Sequence, residues 1–119
     1  MIADPHAFAA DWLAAWNAHD VEAVLSHFRD DASFTSPFAA RLLPETGGRL
    51  VGKQAIRDYW TFGIGRVPDL HFTLIDLFVG VDCLVIAYAN QSGARVNEVL
   101  KFAGDRVIEG HGAYLPEPA

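Results

Sequence analysis

The stretch Asp30-Asp31-Ala32-Ser33-Phe34-Thr35-Ser36-Pro37-Phe38 divides this chain into two kinds of sequence. Its two acids read as the close of a helical segment. Ala32 to Ser36 then alternates weakly and carries Phe and Thr, which predicts a short strand. Pro37 ends it, because proline has no N–H to give a ladder. Upstream, apolar residues keep a helical period; beyond residue 70 they keep the period of strands. Helices first and strands after predict an α+β fold, with helices laid on one face of a curved sheet.

Working back from that stretch, Asp4-Pro5 is a helix start, since Asp can cap free N–H groups and Pro suits the first turn. Phe8, Trp12 and Trp16 recur every fourth residue, with Ala9 and Leu13 beside them, which makes one apolar helix face. Asn17-Ala18-His19 breaks the pattern. Asp20 can cap a second helix, with Val21, Val24, Leu25 and Phe28 on its apolar side.

Working forward, residues 38–50 hold Pro44 and Gly47-Gly48 and read as a long loop, either a binding loop or simply mobile. Gly52 to Trp60 reads as a third helix with Ile56, Tyr59 and Trp60 on one side, ended by Gly63 and Gly65. Strands are predicted over 70–79, 83–90, 95–103 and 106–115. Their short connections make an antiparallel meander. Residues 95–103 alternate most cleanly, with Val96, Glu98, Leu100 and Phe102 on one face.

A length of 119 residues suits a single domain spanning 1–119. At 51% hydrophobic and 12% aromatic residues, the chain can fill a core and still line a cavity. A net charge of −6 argues against a nucleic-acid or anionic-membrane surface, which needs a basic stripe. The N-terminus lacks the basic start and apolar core of a signal peptide, and no stretch approaches a membrane span. A cytoplasmic protein is expected. Cys83 is the only cysteine, so an intrachain disulfide is ruled out, and its apolar strand predicts a buried thiol. The five histidines form no ligand-type pair, so no metal site is expected.

Three segments carry a resemblance to a known family. Trp16-Asn17-Ala18-His19-Asp20, then Asp30-Asp31-Ala32-Ser33-Phe34, then Val51-Gly52-Lys53-Gln54-Ala55-Ile56 resemble signposts of the nuclear-transport-factor-2-like superfamily, in particular its SnoaL-like and ketosteroid-isomerase-like branch. The resemblance runs from about residue 5 to 115. It implies a cone-shaped, mostly antiparallel sheet with three helices from the N-terminal half on its concave face. It also implies a deep pocket between helices and sheet. The fold hosts isomerases, cyclases, dehydratases, epoxide hydrolases and non-catalytic binding modules, so it does not settle the chemistry. Ketosteroid isomerases combine an aspartate base with an oxyanion hole of a tyrosine and a protonated aspartate, a worked case in general enzymology. Laid on this sequence, the base falls at Ser36, the tyrosine at Trp12 and the second acid at Glu98. Only Glu98 keeps its chemical type, so steroid isomerisation by that mechanism is not expected.

Glu98 is the candidate catalytic residue. On an apolar, cavity-lining face its carboxyl is pushed toward the neutral form, able to donate to an oxygen or to act as a base. The alternative is a carboxylate held by an Arg or a tyrosine hydroxyl for structural reasons. Trp12, Trp16, Ser36, Phe38, Tyr59, Tyr88 and Tyr114 are the candidate substrate-binding residues. For the two tryptophans core packing is the stronger alternative, and for Ser36 a plain strand end. For the tyrosines it is core packing with the hydroxyl at the rim. Gly110 and Gly112, on the face of Tyr114, would leave room for a ligand. The expected partner is a small apolar ligand bound without a cofactor. A second copy of the chain is expected on the convex face, where the strand 83–90 is apolar, with His111 on that side.

Overall fold

In the computed structural model, which describes residues 1–118, the caps work as the sequence predicts. The Asp4 carboxylate accepts from Ala7 N at 3.0 Å and opens α1 (Pro5–Asn17); Asp20 accepts from Ala23 N and opens α2 (Val21–Leu25). Phe8, Ala9, Trp12, Leu13 and Trp16 are buried along α1 as the four-residue spacing requires. The second helix is shorter than expected. Phe28 belongs to β1 (Phe28–Thr35), and Asp30 and Asp31 are exposed residues inside that strand rather than the end of a helix.

Residues 38–50 are not a long loop. They form α3 (Pro37–Leu42), a 3-10 turn (Pro44–Thr46) and β2 (Arg49–Val51). The fold therefore carries four helices where three were expected. Gly48 makes the return to β2 possible: its φ is +85°, and a Cβ there would lie 3.0 Å from both Ala40 Cβ and the Ser36 carbonyl oxygen. The next helix, α4 (Lys53–Arg66), runs straight through Gly63 and Gly65 and buries Ile56, Tyr59 and Trp60.

Four strands complete the sheet: β3 (Thr73–Val79), β4 (Cys83–Ala89), β5 (Arg95–Ala103) and β6 (Arg106–Tyr114). They form the predicted meander. The full order is β2-β1-β6-β5-β4-β3, antiparallel except where β1 runs parallel to β6. Register shifts in the β1/β6, β3/β4 and β5/β6 pairs bend the sheet. The helices fill its hollow, α4 against β1 and α1 against β3. The core is continuous from Trp12 and Leu25 to Ile86 and Leu100. Cys83 is half-buried rather than buried.

The Trp16–Asp20 signpost has a structural task. The Asn17 side chain accepts from Phe72 N at 2.7 Å and donates to Phe72 O at 3.0 Å, while His19 Nε2 lies 2.9 Å from Leu70 O. The end of α1 thus fixes the chain as it enters β3. His19 holds a φ of +57° to do so, an uncommon conformation for a residue with a side chain.

Candidate active site

Strand alternation decides which side chains reach the hollow. In register across the sheet, Tyr88 pairs with Val96 and Val96 with Tyr114, while Glu98 sits opposite Gly112. All of these point to the helices. Between them and α4 lies a cavity of about 150 Å³. Trp16, Ser36, Phe38, Tyr59, Tyr88, Glu98 and Tyr114 all border it, so seven of the eight sequence candidates come together. Trp12 does not. It is 1% exposed and sits behind the wall, stacked on Phe72 at 5.9 Å and tilted against Tyr88 at 5.6 Å. Its indole is core, and the position the resemblance equated with an oxyanion-hole tyrosine is filled by packing.

Glu98 is 7% exposed, and its Oε1 accepts a 3.2 Å hydrogen bond from the Tyr88 hydroxyl. Burial raises its pKa to about 7, against the lowering effect of the Tyr88 hydrogen bond. Such a carboxyl changes protonation near neutral pH, which suits an acid or a base equally. Burial also pushes Tyr59 up to about 12 and raises Tyr88 and Tyr114, with the Glu98 charge adding to each. The tyrosines therefore stay neutral and offer O–H donors. The Ser36 hydroxyl opposes the rise in Tyr59 and Tyr114.

Ser36 is a cap rather than only a strand end. Its hydroxyl accepts from Phe38 N at 3.1 Å and starts α3, with Pro37 at the first helical position. Gly112 brings it close to Glu98: a Cβ at Gly112 would stand 3.3 Å from Glu98 Oε1 and 3.8 Å from Ser36 Oγ. The glycine thus makes room for the carboxyl itself. Gly110 makes room for no ligand, because a Cβ there would meet Phe34 at 3.3 Å and Leu100 at 3.4 Å.

The remaining wall escaped the sequence reading. Phe34, Trp60 and Ile64 come from elements whose buried faces were legible. Val67 and Gln91 lie in connections whose path no periodicity reveals, and Leu70 and Phe72, expected inside a strand over 70–79, precede β3, which begins at Thr73. Among the described residues, none of those lining the cavity is Lys, Arg or His. The Arg41 guanidinium of α3, 5.5 Å from the Phe38 ring centre, lowers the pKa of Tyr59 and Tyr114 by its charge. Trp16 Nε1 and Gln91 Oε1 are buried without a hydrogen-bond partner among the described residues. Each such atom costs about 1–3 kcal/mol, so unmet bonding capacity gathers in the cavity wall. Among the described residues no three metal-ligating side chains cluster, and no helix is long and apolar enough to cross a membrane.

A family model for the SnoaL-like domain matches residues 9–110. The chain belongs to the SnoaL-like family. Among solved structures, this SnoaL-like chain is similar to a SnoaL-like protein of unknown function from Burkholderia thailandensis, at 37% identity over 94% of both chains with a TM-score of 0.88. An NTF2-like protein from Cytophaga hutchinsonii, 11% identical over 98% of this chain and 93% of its own, has a TM-score of 0.71. TerC, crystallised with polyporic acid, is 13% identical over 94% of this chain and 92% of its own, with a TM-score of 0.74. At such identities the last two speak for the shared fold alone. No curated protein matches this SnoaL-like chain.

Proposed function

We propose that this SnoaL-like protein is an enzyme of the isomerase, cyclase or lyase type, acting by acid–base chemistry on a small, largely apolar carbonyl or hydroxy compound. The observation that carries the reading is one buried carboxyl, Glu98, held near neutral pKa at the polar end of an aromatic cavity. Glu98 moves the proton. Tyr88, hydrogen-bonded to it, sets the orientation of its carboxyl, and Tyr59, Tyr114 and Ser36 supply hydroxyls to a substrate oxygen. Trp16 and Phe38 form apolar wall. Proton transfer of this kind requires no metal or redox cofactor.

Glu98→Gln keeps the shape and removes the titration. It should lower kcat by about 10²–10⁴, the usual worth of a general acid or base, with an unchanged circular-dichroism spectrum. Full turnover in the folded variant would remove Glu98 from the mechanism.

A second reading is a dimeric binding or interaction module without turnover. It is motivated by a row of side chains on the sheet's outer face, Phe78, Val85 and Val99, where Phe78 is 56% exposed. A homodimer through that face is compatible with either reading.

A further inference from the structure

The size and charge of the cavity narrow what it can hold. Its volume, about 150 Å³, lies below the ~300–1,000 Å³ of pockets that enclose drug-sized ligands. It matches the size of a cavity that takes up a single benzene ring. Eight of the bordering side chains are aromatic, including Trp16, Phe34, Trp60 and Phe72, so the space suits a flat ring. Its polar groups are the Glu98 carboxyl, the hydroxyls of Ser36 and the tyrosines, the Gln91 amide and the Trp16 N–H, none of them cationic. A ligand carboxylate would have to lie beside Glu98 in a desolvated site without a lining cation. A ligand ammonium would meet the charge of Arg41, which reaches both Tyr59 and Tyr114.

We infer that the cavity takes a neutral compound with one ring, whose carbonyl or hydroxyl oxygen meets the Glu98–Tyr88 pair, while fused polycyclic compounds are excluded. This rests on the pocket reading above and adds a limit of size and charge to it. Of the two forms of Glu98, only the protonated carboxyl donates to a carbonyl oxygen. The groups facing Glu98 are Tyr88 from β4, Tyr114 from β6 and Tyr59 from α4, all neutral in the working range, with the Arg41 charge of α3 acting on Tyr59 and Tyr114. Glu98 therefore sets the pH dependence of binding.

The test is isothermal titration of the intact protein with acetophenone, benzoate, benzylamine, 1-tetralone and progesterone at pH 6 and pH 8. Acetophenone should bind at pH 6 and weaken toward pH 8, approaching tenfold per pH unit once the pH exceeds the Glu98 pKa, since only the protonated fraction is competent. That dependence should vanish in Glu98→Gln. Benzoate, benzylamine and progesterone should give no heat of binding, and 1-tetralone should bind more weakly than acetophenone. Progesterone binding as tightly as acetophenone would overturn the size limit and leave the pocket reading standing. Preference for benzoate or benzylamine would overturn the charge limit in the same way. Silence from every neutral compound would overturn both the inference and the pocket reading.

Discussion

Glu98 ties the chemistry of the site to the stability of the fold. Its carboxyl holds its proton more tightly when buried than in the unfolded chain, where it returns to about 4.5. That contribution to stability is complete below about pH 4.5 and is lost as the pH rises through 7. From the size of the shift the loss is of order 3 kcal/mol. The melting temperature should therefore fall between pH 5 and pH 8 in the wild type, and Glu98→Gln should flatten that slope; an equal slope in both would show that the carboxyl is not desolvated. The candidate was legible because Glu98 interrupts an otherwise apolar alternation between Val96 and Leu100. Its partner Tyr88 was legible as an aromatic but not as a donor to Glu98. That bond depends on the β4/β5 register, in which Ile86, not Tyr88, stands directly opposite Glu98. For Trp12 the stronger of the two readings, core packing, is what the structure has; helical spacing places it on the inner face but does not give its depth.

At the level of elements, every strand of the meander and both long helices could be read locally, because each carries its own period. The errors fall where a distant partner or a repeated signal decides. Asp30 and Asp31 are strand residues because β1 is held by β6, which no local window contains. Ser36-Pro37 repeats the cap-and-proline pattern of Asp4-Pro5, and α3 begins there for the same reason α1 does. The end of α4 was misplaced because glycine usually stops a helix, yet Val67 N still bonds to Gly63 O at 3.1 Å. Gly63 has no positive φ, and nothing lies within 4 Å of where its Cβ would be. Neither geometry nor packing requires it, and it borders the cavity. Gly63→Ala should thus stabilise the protein by about 0.4–1 kcal/mol, read as a rise in melting temperature. A fall instead would mean that this turn of α4 needs glycine in a state other than the one described.

The whole molecule has a finished side and an unfinished one. Its concave side is covered by helices, whereas the outer row of Phe78, Val85 and Val99 runs on into His111, which bonds Thr35 at 2.6 Å. β3 is also an edge strand with Leu74, Ile75 and Val79 exposed. A homodimer through the outer face predicts that Phe78→Asp converts a dimeric species to a monomer in light scattering while the melting curve stays cooperative. A wild type that is monomeric at all concentrations would dispose of the dimer. The parallel pair of β1 and β6 has one more consequence. It joins residues such as Thr35 and His111, 76 positions apart. Until β6 leaves the ribosome, β1 has only the three-residue β2 for a neighbour in the sheet. Ser36, Glu98 and Tyr114 can then meet only once β6 has emerged.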